Sequence, residues 1–146
     1  MQTTTNELAV KQIDVTDMTY TPRSASLPSD LLAGESTTKI VLSTINAKYI
    51  HASLGLRYLY ANLQELQSHC EIKEFVIQTR AIDIVERILE SKPQIVGFGV
   101  YIWNIIETTN VVSLLKVIAP DIKIVLGGPE VSYESQGQSI VETADY

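Results

Sequence analysis

The residues of this 146-residue chain best suited to hold a ligand are its glycines. Six of the seven fall after residue 50. Gly55 lies in the run SLGLRYL at 53–59, Gly97 and Gly99 in QIVGFGV at 94–100, and Gly127 and Gly128 in IKIVLGGPE at 122–130. A residue without Cβ lets main chain approach a ligand closely. Taken singly, each glycine serves equally well as a turn or a packing position. Converging on one edge of a fold, they describe a binding slot rather than bond-breaking machinery.

Other chemistries find little support. Gly97-x-Gly99 has Ile102 where a dinucleotide fingerprint needs a third glycine, and there is no Walker loop. A phospho-receiver needs an aspartate after the third strand, where Gly99, Val100 and Tyr101 stand instead. No Ser-His-Asp set and no acid–base carboxylate pair is visible. His51 and His69 are the two histidines, and His69 beside Cys70 reads as a polar helix terminus. With Cys70 alone, neither a disulfide framework nor a thiolate metal cluster can form within the chain.

The elements that must position the glycines follow from periodicity. Short β-branched runs predict strands at 39–43, 71–77, 94–100 and 122–126. Between them, helical spacing links Leu56, Leu59, Leu63 and Leu66; then Ile82, Val85 and Ile88 or Leu89; then Val111, Leu114, Leu115 and Ile118. Asn104 and Glu107 have the spacing of a capping box opening the third helix, and Pro93 and Pro120 each separate a helix from a strand. A last short helix is expected around 139–144. The order β-α-β-α-β-α-β predicts an α/β fold: a flavodoxin-like or Rossmann-like doubly wound parallel sheet, with ligands at the carboxyl ends of its strands. The second strand alternates Ile72, Phe75 and Ile77 with charged residues and is expected at an edge. The sequence reaches Tyr146 where a further strand is due, so it reads as the N-terminal part of a longer protein.

Residues 1–38 are rich in Ser and Thr, hold Pro22 and Pro28, and show no sustained apolar period, so a disordered or weakly ordered tail is expected there. The globular domain is expected over 39–146. A net charge of −6 argues against nucleic acid as a partner, which demands a cationic surface. No apolar run approaches the roughly 18 residues of a membrane span, and no signal peptide opens the chain. A cytoplasmic location is expected.

The runs KIVLSTINAKYIHASLGLRYLYANL, QIVGFGVYIWNIIET and IKIVLGGPEVSYE together resemble the N-terminal cobalamin-binding domain of cobalamin-dependent radical SAM enzymes. The nearest group is similar to the magnesium-protoporphyrin IX monomethyl ester oxidative cyclase, anaerobic type. The resemblance implies that Asn46, Lys48, Tyr49 and His51 after the first strand, Gly99, Tyr101, Ile102 and Trp103 after the third, and Gly127, Gly128, Pro129 and Glu130 after the fourth contact cobalamin. It also implies a tail slot floored by Gly99, Gly127 and Gly128. Methionine-synthase-like domains carry Asp-x-His-x-x-Gly in the first loop; here Tyr49 stands two before His51 and Gly55 four after it. His51 is therefore expected to contact the corrin or the loop, not cobalt, and no metal ligand or catalytic residue is expected in this chain. S-adenosylmethionine and a 4Fe-4S cluster would belong to a C-terminal radical SAM domain beyond Tyr146, where methyl transfer or cobalamin-assisted radical chemistry would take place. The rival expectations are a small-molecule or nucleotide sensor on the same fold and a docking domain that has lost its ligand.

Overall fold

The computed structural model describes residues 39–48, 51–133 and 137–146, so the expected tail at 1–38 and Tyr49 lie outside the described residues. Four strands, β1 (Ile40–Asn46), β2 (Cys70–Val76), β3 (Ile95–Gly99) and β4 (Lys123–Gly127), form one sheet in the order β2-β1-β3-β4. Every pairing is parallel. This is the flavodoxin-like α/β arrangement, with β2 at an edge as its alternating pattern required.

The helices divide between the two faces. On one, α2 (Ala81–Leu89), α3 (Ile105–Ile118) and α5 (Ser139–Thr143) bury Ile84, Val85, Ile88, Val111, Val112, Leu115 and Ile140 against Val41, Ile45, Val96 and Ile124. On the other, α1 (Leu54–Ala61) and a 3₁₀ segment (Gln64–His69) cover a smaller cluster of Ile40, Leu42, Leu56 and Cys70. β1 lies between both layers, and all seven of its residues are buried. β4 is not sandwiched in this way: Val125, on the α1 face, is 36% exposed.

Several sequence expectations shift. The first helix ends at Ala61, where Asn62 donates backbone and side-chain N–H groups to carbonyls of the last turn. Leu63, just before the 3₁₀ segment, and Leu66 within it therefore pack from beyond the helix, while Leu59 is left exposed. In α2 Ile84 joins the expected Val85 and Ile88 in the core while Ile82 turns to solvent, and in α3 Thr108 and Val112 are buried in place of Ile118. A stripe drawn at i, i+3 misses its neighbour at i+4 when a helix buries a broad face. The Asn104–Glu107 capping box does not form, for Asn104 makes no side-chain cap bond. A four-residue helix α4 (Pro129–Ser132) follows β4, and Asp145 and Tyr146 hydrogen-bond to the outer edge of that strand. Asp145 also accepts from the Ile124 N–H and from Lys116 and Lys123, which together hold its carboxyl well below the usual range.

A glycine-floored cleft at the strand ends

Strand register builds the site. Leu42, Gly97 and Val125 lie side by side across β1, β3 and β4, and Thr44, Gly99 and Gly127 form the next row but one. Side chains two apart in a strand share a face, so these rows make one patch of sheet with glycine at three of its six positions. Over it runs a cleft of about 530 Å³, walled by Leu56, Leu59 and Leu63 of the α1 layer and closed above by Tyr101 and Gly128. That volume falls within the roughly 300–1,000 Å³ of small-molecule sites.

Each glycine has a different reason to be there. A Cβ on Gly127 would meet nothing within 4 Å, so its hydrogen keeps the cleft open. At Gly97 a Cβ would stand 3.0 Å from Leu42 Cδ2, so this glycine lets β1 and β3 side chains pack under the cleft. Gly128 is a backbone requirement, with φ +113° and a Cβ position 2.3 Å from the Val100 carbonyl oxygen. Gly55 admits the Tyr101 hydroxyl to within 3.4 Å of its own Cβ position. The slot role expected for all of Gly99, Gly127 and Gly128 thus belongs most clearly to Gly127.

The loops at the carboxyl ends of β1 and β3 leave toward opposite faces of the sheet, and Asn104 fills the crevice between them. It is fully buried. Its Oδ1 accepts from the Tyr101 N–H at 2.8 Å, and its Nδ2 donates to Thr44 Oγ1, Ile45 O and Gly99 O at 3.0–3.2 Å. Thr44 Oγ1 also donates to Gly99 O. This tie fixes the turn that carries Tyr101 and Trp103, whose rings stack with centroids 4.6 Å apart and planes 6° from parallel. Trp103 is 46% exposed and Ile102 77%, so neither is a core residue.

The loop after β1 is held by a carboxylate. Glu74 of β2 accepts from the Ser53 N–H at 2.5 Å, Asn46 Nδ2 at 3.3 Å and Arg57 at 2.8 Å. Burial pushes its pKa up, but these donors outweigh burial and hold it below the usual carboxylate value. Asn46 closes β1 and donates to the His51 carbonyl at 2.9 Å. It is therefore a loop tie at a buried strand end. Lys48 and His51 are exposed on the loop, and Ser53 caps α1. Pro129 and Glu130 open α4 at the same edge of the sheet.

The described candidates thus share the carboxyl edge, but only Gly99, Tyr101, Gly127 and Gly128 among them line the cleft. Gly97, Leu59 and Val125 line it too and were not foreseen as contacts. Their signal was present for Gly97 alone, as a second glycine two before Gly99. Among the described residues no group of His, Cys, Asp and Glu could hold a metal ion, and no helix is long and apolar enough to cross a membrane.

The B12 binding domain family matches residues 40–146, the whole sheet and its helices. The chain belongs to the B12 binding domain family. It is, on that ground, a cobalamin-binding module. No curated protein shows significant similarity to it. Among solved structures it is similar to a novel cobalamin-binding protein from Desulfitobacterium hafniense DCB-2, known from a 1.5 Å crystal structure, at 23% identity and a TM-score of 0.49. The match covers 73% of this chain and 55% of that one, so this B12 binding domain spans about half the length of that protein. The residues present suit such a ligand. An apolar cleft with an unobstructed glycine in its floor can take a flat base, and the exposed Ile102 and Trp103 offer apolar surface beside its mouth.

Proposed function

We propose that this B12 binding domain holds cobalamin with its nucleotide tail in the glycine-floored cleft and its corrin over the loops after β1, β3 and β4. The observation that carries the reading is Gly127, whose missing side chain leaves open space in a cleft lined mainly by apolar side chains and other glycines. Gly127 opens the slot, Gly99 lies beside it in the floor, and Gly128 turns the chain at its end. Tyr101, Ile102 and Trp103, with Lys48 and His51 and with Pro129 and Glu130, form its rim. Asn46 and Asn104 act behind them by fixing two of the three loops. When bound, cobalamin supplies a cobalt centre able to carry a methyl group or assist radical chemistry. The chain's own contribution is to bind, orient and shield.

The finer reading is that the domain serves a radical SAM enzyme, with S-adenosylmethionine and a 4Fe-4S cluster held by a C-terminal domain outside this chain. The SLGLRYL segment that opens α1 and the GGPE segment that ends β4, in that order, support it, as does their likeness to oxidative cyclase-type proteins. A cytoplasmic location accords with that partnership. Absorbance titration with hydroxocobalamin tests the binding role: a saturable one-to-one change supports it, and no change with folded protein refutes it. The partnership is tested in the native source, where a protein continuous with or co-purifying with this domain should show the spectrum of a reduced 4Fe-4S cluster. A co-purified complex without iron or sulfide would refute it.

A further inference from the structure

We infer that the cleft selects the lower base of the corrinoid, accepting a benzimidazole-type base and disfavouring a purine. This rests on the proposed placement of the nucleotide tail and adds to it a specificity. Of the fifteen described residues lining the cleft, Tyr101 alone carries a polar side-chain group, and it stands at the upper end near Gly55. The floor offers no substitute. β1, β3 and β4 spend their central amides and carbonyls on one another in the parallel ladder. At the upper row, Gly99 O accepts from Thr44 and Asn104, and Gly127 O accepts from the Val100 N–H at 2.7 Å.

Two apolar side chains, Leu59 on the α1 wall at 58% exposure and Val125 in the sheet floor at 36%, stand in water until something apolar covers them. A dimethylbenzimidazole presents hydrocarbon to both. An adenine in the same place would bring an exocyclic amine and ring nitrogens out of water without a protein partner. One such uncompensated group costs about 1.4 kcal/mol or more, which is tenfold in affinity. An apolar pocket rejects an added polar group by at most about a hundredfold. The expected discrimination therefore lies between roughly tenfold and a hundredfold.

The test is equilibrium dialysis of the folded chain with cyanocobalamin, its adeninyl analogue and dicyanocobinamide, which lacks the base, all in excess cyanide, which displaces the lower base from cobalt and leaves it free to enter the cleft. Expected is a dissociation constant at least tenfold lower for cyanocobalamin than for either of the others. Leu59→Gln, on an exposed helix face, should narrow the gap between the two bases by offering the adenine a partner, and Val125→Thr should do so from the floor. Equal affinity for the two bases overturns the inference while leaving the binding role intact. Cobinamide binding as tightly as cyanocobalamin shows that the base lies outside the cleft and overturns it as well. Failure of all three to bind folded protein removes the placement on which the inference stands.

Discussion

Replacing Asn104 should cost more than replacing any other polar side chain in the domain. Asn104→Ala deletes one acceptor and an amide that serves three acceptors, at a position with no solvent exposure. Each lost hydrogen bond is worth about 1 kcal/mol, and buried partners left behind add their desolvation, so the loss is about 3–5 kcal/mol. That is a large share of the roughly 5–15 kcal/mol that holds a domain together. At about 4 °C per kcal/mol for a domain of this size, the melting temperature should fall by roughly 12–20 °C. Asn104→Asp keeps the acceptor for the Tyr101 N–H but sets a carboxylate oxygen against the carbonyls of Ile45 and Gly99. Its loss should be as large at neutral pH and smaller in acid, where protonation restores a donor. Trp103, the chain's one tryptophan, stacks on Tyr101 in the turn that Asn104 fixes, so its emission reports the same event locally. A melting temperature lowered by less than about 3 °C, with Trp103 emission unchanged, would refute the reasoning, since the size scaling leaves no room for the loss of these bonds.

Three further outcomes are expected. Gly127→Val should keep the melting temperature within a few degrees of wild type and weaken hydroxocobalamin binding at least tenfold, because its side chain enters open cleft; Gly128→Val should instead destabilise the fold, since φ +113° and the Val100 carbonyl both exclude a Cβ. Wild type affinity in Gly127→Val would place the tail elsewhere. Glu74 has a folded pKa below its ordinary value of 4.5, so its contribution to stability is present above that value and lost as pH falls through the folded pKa. The melting-temperature gap between wild type and Glu74→Gln should accordingly be positive at neutral pH and close in acid, and a gap independent of pH would sink the clamp. His51→Ala should leave the electron paramagnetic resonance spectrum of the cob(II)alamin-loaded protein unchanged, whereas loss of nitrogen splitting on mutation would show that His51 ligates cobalt.

The order of elements and the layered sheet were open to reading from the chain, because buried strands and helical stripes are local patterns of residue type. Edge placement of β2 followed from its charges, and the glycines near the carboxyl ends marked the edge where a ligand belongs. What each glycine does there was decided by neighbours from other strands. Gly127 opens a cleft, Gly97 accommodates Leu42, and Gly128 answers to the backbone of Val100. Nothing within a few residues of any of them distinguishes these roles. Asn104 makes the point most clearly. Its spacing from Glu107 is that of a capping box, a bond worth about 1 kcal/mol at a helix end. The fold instead buries it between β1 and β3, where the Thr44 hydroxyl and the Ile45 carbonyl, about sixty positions earlier, need a donor that water cannot supply. Propensity within a turn of helix is a local preference; satisfying buried backbone groups is a condition on the whole sheet, and the larger energy prevails.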